Sequence, residues 1–273
     1  MNFGLVIIGD EILSGKRADK HLSKAIEILG ARGLQVAYAD YVGDSPQRIT
    51  ETLQRAFASG DVVFSFGGIG ATPDDHTRQC AARALGRELM LHPQAEALIR
   101  ERMQDVAREQ GIAYEPDSAD NVHRLNMGVY PAGAAIIPNP YNKIPGFSII
   151  DPHALGERGG VHFVPGFPVM AHPMVEWVLD THYAHLFTHN TWVEQSIIVF
   201  GAMESTLTPL MEDLERRFAL KVFSLPSVDH PEYGRHIELG VKGNPAEVAR
   251  AYPELLQGLR ALNMSLGPEL VRK

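Results

Sequence analysis

A glycine-rich segment directly after a short apolar run is the part of the sequence best suited to chemistry. The run Asp61–Phe66 leads into Gly67-Gly68-Ile69-Gly70, and Thr72-Pro73-Asp74-Asp75 follows. Glycines leave backbone N–H groups free to face an anion, and a helix N-terminus after the loop adds partial positive charge. The pattern therefore predicts a phosphate site at the carboxyl edge of a parallel sheet. The loop lacks both the Gly-Lys-Ser/Thr of a Walker A sequence and the GxGxxG fingerprint.

Two acidic residues, Asp44 and Asp75, could either cap a helix or bind a ligand, and the sequence alone does not decide between these roles. Asp44, in Asp44-Ser45-Pro46, and Asp75, in Asp75-His76-Thr77, both stand where a carboxylate can cap a helix. The same helix ends also form anion sites, so capping and ligand binding do not exclude each other. The glycines likewise either cradle an anion or only form a tight turn.

Apolar runs that alternate with helical patterns position these residues. The alternation predicts βα units, and hence an α/β fold with a doubly wound, mostly parallel sheet. The turns at Gly9, Gly43 and Gly67 are then expected at one edge of that sheet. The predicted strands are Leu5–Ile8, Leu34–Val42 and Asp61–Phe66, and the predicted helices are Ala18–Leu29, with Leu22, Ala25, Ile26 and Leu29 on one face, and Asp44–Ala58.

The pattern of apolar runs in the rest of the chain predicts that the first domain continues, and that a linker at 188–191 leads to a second domain. The first domain is expected over 1–187 and a small α+β domain of β-α-β-β-α order over 190–273. We expect the small domain to pack beside the ligand cleft or to build the interface of a homo-oligomer. The predicted elements are helices Pro93–Gln110, Ser118–Met127 and Pro168–Leu186, strands Ala134–Ile137, Phe147–Ile150 and Val161–Val164, and then strand Trp192–Phe200, helix Ser205–Phe218, strands Lys221–Ser227 and Arg235–Lys242, and helix Pro245–Leu262.

Composition narrows the class of protein. With 45% hydrophobic residues in 273, the chain can bury a sizeable core. The formal net charge of -8 argues against a nucleic-acid partner, because binding to a phosphate backbone needs a basic face. Gly240-Val241-Lys242-Gly243 matches the GxxG of KH modules, but here it ends a predicted strand. A single cysteine, Cys80, and an N-terminus without a signal or membrane segment predict a cytoplasmic protein.

Five motifs in order carry a resemblance to a known family. The segment Gly67–Thr77 resembles the G-G-[LIT]-G-x-T-x-D-D-x-T signature of CinA-like and molybdopterin-binding domains. The other segments, each similar to the family motif at the same place in the order, are Gly9-Asp10-Glu11-Ile12-Leu13-Ser14-Gly15, Val42-Gly43-Asp44, Asn139 with Ile144-Pro145-Gly146-Phe147, and Val164-Pro165-Gly166-Phe167-Pro168. Two departures are Ala71, where the family has proline, and the lack of a glutamate before Met170.

The resemblance implies a molybdopterin-binding fold and a small-molecule ligand, either a nucleotide or a pterin pyrophosphate. Asp44 and Asp75 match the family's two acidic positions beside the ligand phosphate, so they are the expected catalytic and metal-binding residues. Carboxylates beside phosphate repel it unless a divalent cation bridges them, which favours Mg²⁺ or a similar hard ion. The expected ligand-binding residues are Gly9, Glu11, Ser14, Gly67, Gly68, Gly70, Thr72, Asp74, Asn139, Pro145, Gly146, Gly166 and Pro168.

The CinA-like branch of the family implies metal-dependent hydrolysis of ADP-ribose or a related dinucleotide such as FAD. The alternative is a non-catalytic protein that holds molybdopterin or a nucleotide, and a third possibility is adenylyl transfer from ATP to a pterin. The altered motif before Met170 favours binding, and the double aspartate Asp74-Asp75 favours chemistry. The C-terminal deamidase domain of full-length CinA proteins is expected to be absent.

Overall fold

The computed structural model describes residues 1–150, 158–188 and 192–272. They separate into two compact units, Met1–Phe187 (unit 1) and Thr188–Lys273 (unit 2). Residues 189–191 of the predicted linker lie outside the described residues. Among the described residues, no helix has both the length and the apolar character that a membrane crossing requires.

Unit 1 is an α/β structure whose elements follow the predicted order. Its strands are β1 (Phe3–Ile8), β2 (Val36–Val42), β3 (Val62–Phe66), β4 (Leu89–Leu91), β5 (Val129–Pro131), β6 (Ala135–Ile137), β7 (Gly146–Ile149) and β8 (Val161–Val164). Its α-helices are α1 (Asp10–Leu13), α2 (His21–Gly30), α3 (Pro46–Ser59), α4 (Thr77–Leu85), α5 (Pro93–Gln110), α6 (Ala119–Arg124) and α7 (Pro168–His182).

A six-stranded sheet of order β2-β1-β3-β8-β7-β6 forms the centre of unit 1. The first four strands are parallel, whereas β7 and β6 run antiparallel to their neighbours. This is the mostly parallel α/β sheet that the sequence predicts. Because β1, β2, β3 and β8 are parallel, the turns at Gly9, Gly43, Gly67 and Gly166 all lie at one edge, which confirms the predicted position of the cleft.

Burial on both faces explains the uninterrupted apolar strands. All of β1 is buried. Phe3, Leu5 and Ile7 pack into one hydrophobic cluster with α2 and α7, whereas Val6 and Ile8 pack into a second cluster with α3 and α4. Successive side chains of a strand point to opposite faces, so a strand covered on both faces must be apolar throughout.

Three local differences from the predictions have physical causes. The segment after Gly9, predicted as a turn, contains the single-turn helix α1. Helix α2 begins at His21 and buries Ile28, whereas Ile26 is 53% exposed, so the predicted helix face was wrong by part of a turn. The ribbon of β4 and β5 was not predicted, because strands of three residues are too short to show an alternating pattern.

Unit 2 is an antiparallel sheet with two helices. In chain order its elements are β9 (Val193–Phe200), α8 (Glu204–Arg217), β10 (Lys221–His230), β11 (Gly234–Gly243), α9 (Pro245–Ala261) and β12 (Ser265–Arg272). The strand order is β10-β11-β9-β12, and the GxxG segment lies inside β11.

The predicted β-α-β-β-α order is thus one strand short. The missing strand β12 contains Gly267-Pro268, which interrupts its apolar pattern and is tolerated because the register with β9 shifts between Leu266 and Glu269.

Candidate functional site

A cavity of about 430 Å³ lies at the sheet edge where the four parallel strands end. We call it the loop cavity, because the turns after β1, β2, β3 and β8 contribute to its lining. Its volume falls in the range of small-molecule sites, roughly 300–1,000 Å³. Of the predicted site residues, the following line it: Gly9, Glu11, Asp44, Gly67, Gly68, Gly70, Thr72, Asp74, Asp75, Asn139, Pro145 and Gly166.

Three predicted residues lie outside this lining. Ser14 is an exposed residue at the C-terminal end of α1. Gly146 is buried at the start of β7, where a Cβ atom would come within 2.3 Å of the Phe163 carbonyl oxygen, so its role is close packing of the backbone. Pro168 begins α7 and lines an adjacent cavity.

The glycines of the loop are required by close backbone approach. Gly67 has φ +97°, and a Cβ there would lie 2.5 Å from the carbonyl oxygen of Ile8. A Cβ at Gly70 would lie 2.5 Å from Oδ2 of Asp75. Only glycine adopts such a backbone without strain, so the loop can pass directly over the end of β1. The position of the loop against the sheet edge therefore depends on Gly67, whereas the missing side chain at Gly70 leaves room for the Asp75 carboxylate.

Asp75 closes the turn that follows the glycines. The backbone N–H and the hydroxyl of Thr72 donate to Asp75 Oδ2 at 2.9 and 2.6 Å, and the Asp75 N–H donates back to the Thr72 carbonyl at 3.0 Å. Helix α4 starts two residues later with no side-chain cap. Asp75 therefore fixes the loop and does not cap the helix. No hydrogen bond to its second oxygen, Oδ1, is seen among the described residues.

Asp44 does not cap α3, the helix that follows it. Its Oδ2 accepts the Asp10 N–H at 2.9 Å, and Asp10 Oδ1 accepts the Asp44 N–H at 3.1 Å, while α3 has no side-chain cap. Burial raises the pKa of the Asp44 carboxyl, and the negative charges of Asp10, Glu11 and Asp74 raise it further. The site thus concentrates negative charge that a cation would relieve.

A buried arginine lies beneath the loop. Arg78 is 4% exposed, and its guanidinium Nη2 donates to the Gly70 carbonyl oxygen. Its Nε has no hydrogen-bond partner among the described residues. Burial lowers the Arg78 pKa, which the nearby Tyr130 and Asp75 oppose. Because a buried charge without a full set of partners is costly, this cation favours an anion above the loop.

Arg17 is a cavity residue that was not predicted from the sequence. Among the described residues that line the loop cavity, four are carboxylates and one, Arg17, is cationic. No ion pair of Arg17 is found within the described chain. Guanidinium binds phosphate with two parallel hydrogen bonds, so Arg17 is suited to a phosphate ligand. Arg17 lies six residues after Glu11 in a polar segment, and no sequence pattern there indicates a phosphate-binding residue.

Asn139 is buried and holds the loop that precedes β7. Its Nδ2 donates to Asn142 Oδ1 at 2.7 Å and to the Ile144 carbonyl at 2.9 Å, and its Oδ1 accepts the Tyr141 N–H at 3.0 Å. These three bonds use most of its hydrogen-bonding capacity. Asn139 therefore shapes the cavity wall, and Asn142, which was not predicted, also lines the cavity.

The donor set fits a divalent cation that is shared with a ligand. Within the described residues, no group of three or more His, Cys, Asp or Glu side chains has the arrangement of a metal-binding cluster. Mg²⁺, however, is commonly held by one or two carboxylates together with substrate phosphates. The mutually repelling Asp44 and Asp74 provide such carboxylates. The negative charge of Asp74 is one cause of the raised Asp44 pKa, after those of Asp10 and Glu11.

Comparisons with known proteins agree with this fold. Residues 4–185 match the family model described as "Probable molybdopterin binding domain". A CinA-like protein of Geobacter metallireducens is 30% identical over 223 residues, which are 79% of this chain and 49% of the relative. A CinA-like protein of Mycobacterium tuberculosis is 28% identical over 262 residues, 94% of this chain and 58% of the relative.

A solved structure is also similar. The crystal structure of the protein CinA from Thermoplasma acidophilum has a TM-score of 0.53 and 25% identity, and the match covers 66% of this chain and 96% of that chain. The chain spans about half the length of the curated relatives that it matches.

Proposed function

The chain belongs to the molybdopterin-binding domain family, with CinA-like relatives, and on that premise we propose that unit 1 is a metal-dependent hydrolase of nucleotide pyrophosphates. The substrate class is ADP-ribose or a dinucleotide of the FAD type. The observation that carries the proposal is one cavity that combines a glycine loop, the cation Arg17 and four carboxylates, with the buried Arg78 bound to the backbone of the loop.

The pyrophosphate is proposed to lie against the Gly67–Gly70 loop. Backbone N–H groups of such a loop bind phosphate oxygens. Arg17 lines the same cavity, and Arg78 adds positive charge from below. These three features attract an anion to a place where Asp44, Asp74 and Asp75 would otherwise repel it.

Asp44 and Asp74 are the proposed holders of a divalent cation. Their carboxylates repel each other, which is one cause of the raised Asp44 pKa. A bound cation supplies positive charge that offsets the charge of the pyrophosphate and lets a nucleophile approach the phosphorus. The reciprocal bonds between Asp10 and Asp44 keep the Asp44 carboxylate in place while it binds.

Asp75 is the proposed group that orients the attacking water. Thr72 occupies its Oδ2, and Oδ1 is left for a water molecule. Water adds to one phosphorus through its oxygen, and the bridging P–O bond breaks with its electron pair on the leaving phosphate. The two protons of the water pass to solvent or to the products, and two phosphate monoesters result.

A second candidate function is binding without turnover. The hydrogen bonds from Thr72 are by themselves a sufficient reason for an aspartate at position 75. In that case the cavity would hold a nucleotide or molybdopterin, and Asp75 would only shape the loop.

Incubation of the purified chain with ADP-ribose, FAD and ATP tests the proposal. Each nucleotide is supplied with Mg²⁺ or Mn²⁺, and the products are separated by chromatography, with EDTA as the control. Hydrolase activity predicts AMP from ADP-ribose and from FAD, and no product with EDTA. Binding of these ligands without any product would instead favour the second candidate.

A further inference from the structure

The two peptide groups that flank Ala71 are held by side chains from different helices. The carbonyl oxygen of Gly70 accepts from the guanidinium Nη2 of Arg78, which belongs to α4 and lies beneath the loop. The carbonyl oxygen of Ala71 lies 3.0 Å from Nε2 of His123, which belongs to α6. A carbonyl oxygen only accepts, so Nε2 of His123 carries the hydrogen. Two helices therefore fix the orientation of the backbone at Ala71.

One N–H group of this stretch is left over. The Thr72 N–H donates to Asp75 Oδ2 at 2.9 Å, so the peptide group between Ala71 and Thr72 is bonded at both its oxygen and its nitrogen. The peptide group between Gly70 and Ala71 is bonded at its oxygen. No hydrogen bond from the Ala71 N–H is seen among the described residues. A donor of fixed orientation is thus available for a ligand.

The geometry of a trans peptide gives the direction of this N–H. The described residues contain no cis peptide bond, and in a planar trans peptide the C=O and the N–H point to opposite sides. The Gly70 carbonyl points to Arg78, which is 4% exposed and does not line the loop cavity. The Ala71 N–H therefore points away from the interior. Ala71 is partly exposed and lines the loop cavity, where the pyrophosphate is proposed to lie.

We propose that the backbone N–H of Ala71 donates a hydrogen bond to a phosphoryl oxygen of the ligand, and that His123 is a positioning residue for this donor. The inference rests on the proposed function, because it requires a diphosphate group in the loop cavity. A hydrogen bond to an ionised acceptor is roughly twice as strong as one between neutral groups. The N–H also adds no charge to a cavity that already holds several.

The donor lies beside the group that is proposed to orient the attacking water. A Cβ atom at Gly70 would lie 2.5 Å from Oδ2 and 3.3 Å from Oδ1 of Asp75, so this carboxylate packs against the α-carbon that precedes the Ala71 N–H. The phosphoryl group that the N–H binds is therefore the one that the water attacks. Donors held at fixed positions stabilise the negative charge that develops on such a group in the transition state.

A feature of the sequence allows this donor to exist. The family motif has proline at position 71, and proline has no N–H. The backbone is nevertheless compatible with proline, because Ala71 is not among the residues with positive φ. Gly70 has no Cβ that would collide with a following proline ring. Ala71→Pro should therefore keep the fold and remove the donor.

A competing account leaves the Ala71 N–H to solvent. Because Ala71 is partly exposed, a water molecule alone would satisfy the N–H. That account predicts that removal of the N–H leaves the affinity for a diphosphate unchanged, so variants without the N–H separate the two accounts.

Calorimetry on the full chain tests the proposal with methylenediphosphonate, whose bridging carbon prevents hydrolysis. Two variants remove the donor: Ala71→Pro, and an amide-to-ester variant in which lactic acid replaces Ala71 and oxygen replaces the N–H without added bulk. The affinity of both, at one Mg²⁺ concentration, should fall about tenfold or more. The ester also weakens the Gly70 carbonyl as an acceptor, whereas proline keeps it, so a loss common to both belongs to the N–H. Thermal unfolding checks that each variant is folded.

The matched control is Ala71→Val, which keeps the N–H and adds bulk similar to that of proline. Its affinity for methylenediphosphonate should stay within about twofold of the wild type. A loss in Ala71→Val equal to that in Ala71→Pro, together with an unchanged ester variant, would attribute the effect to bulk and overturn the assignment of the N–H.

The positioning role of His123 has a test of its own. His123→Ala should weaken the binding of methylenediphosphonate about threefold or more, and His123→Gln should restore it, because the amide can donate to the Ala71 carbonyl. In the Ala71→Pro background, His123→Ala should have no further effect, since the donor that it positions is gone. Additive losses in the double variant would overturn the positioning role.

Failure of this inference differs from failure of the proposed function. If the wild type binds methylenediphosphonate and both variants without the N–H bind it equally well, the assignment of Ala71 is wrong, but the diphosphate site stands. If the wild type does not bind methylenediphosphonate with Mg²⁺, the proposed function itself fails. Binding that depends on the Ala71 N–H, without hydrolysis of ADP-ribose or FAD, would support the donor and reject the hydrolase.

Discussion

Asp10 and Asp44 hold each other's backbone, each carboxylate accepting the other residue's N–H at 3.1 and 2.9 Å. The pair joins the turns after β1 and β2 at the sheet edge. The same contact brings two negative charges together: the hydrogen bond from the Asp10 N–H lowers the pKa of the Asp44 carboxyl, whereas the charge of Asp10 raises it. The same two residues therefore join the turns by hydrogen bonds and place two carboxylate charges close together at this edge of the sheet.

The first prediction concerns Asp44→Asn. Asparagine keeps an oxygen for the Asp10 N–H but removes the charge, so the fold should survive while a divalent cation binds more weakly. We expect the Mg²⁺ concentration for half-maximal activity to rise about tenfold, equivalent to ~1.4 kcal/mol. Asp10→Asn is the matched control, because Asp10 forms the same paired contact but does not line the loop cavity. An unchanged Mg²⁺ requirement in Asp44→Asn would exclude Asp44 as a cation ligand.

The second prediction concerns Asp75→Asn. The amide oxygen can still accept from Thr72, so the loop and the melting temperature should be retained. If Asp75 orients or deprotonates water, kcat should fall by about 10² or more. Binding of the substrate should change less than turnover. A stable variant with the wild-type kcat would remove Asp75 from the mechanism.

The third prediction concerns the buried guanidinium of Arg78. Arg78→Met keeps the length of the side chain and removes the charge, so the affinity for inorganic pyrophosphate should fall by about tenfold, or ~1.4 kcal/mol. Stability should fall, because the variant leaves the Gly70 carbonyl oxygen without the donor that Arg78 provides. Calorimetry and thermal unfolding measure the two effects. Unchanged pyrophosphate affinity in a folded variant would show that Arg78 only supports the loop.

The fourth prediction concerns pH and His162. Its Nδ1 lies 2.7 Å from Ser148 Oγ and its Nε2 2.8 Å from the Tyr183 hydroxyl, and burial lowers its pKa from 6.5 to about 3. Below pH 6.5 the unfolded chain takes up a proton that the folded chain does not. The free energy of unfolding should therefore fall between pH 6.5 and about 3, by about 1.4 kcal/mol per pH unit from this group.

Denaturant unfolding of the wild type and of His162→Gln at several pH values measures this effect. His21, His172 and His182 also have lowered pKa values and contribute in the same direction, so the difference between the two proteins isolates His162. In the variant, the slope of the free energy of unfolding against pH should be smaller by the contribution of about one proton, or about 1.4 kcal/mol per pH unit. Equal slopes would mean that His162 takes up its proton in the folded state.

The sheet and the glycine loop could be predicted because their signals are local. The buried strands β1 and β3 are almost continuous apolar runs, and β1, β2 and β3 are each followed directly by a glycine. The roles of Asp44 and Asp75 could not be predicted in the same way. Both were expected beside the ligand phosphate, with helix capping left open, but Asp44 binds the backbone of a residue 34 positions away, and Asp75 binds the turn before it. Contacts across turns depend on the assembled fold.

Arg17 and Arg78 were missed for the same reason. Arg78 follows Thr77 in a helical pattern, and nothing in its neighbours shows that the guanidinium is buried under Gly70. Strand β12 was missed for a different reason, since Gly267-Pro268 reads as a turn unless the neighbouring strand is known.

The proline in β12 has a consequence for association. In the sheet of unit 2 the two outermost strands are β10 and β12, and each contains one proline, Pro226 and Pro268. A proline has no N–H to offer an incoming strand, and the register shift at Pro268 distorts the second edge further. Both edge strands therefore disfavour pairing with a strand of another chain, which opposes extension of the sheet into fibres. A homo-oligomer built through this unit would have to use helix surfaces or the sheet face.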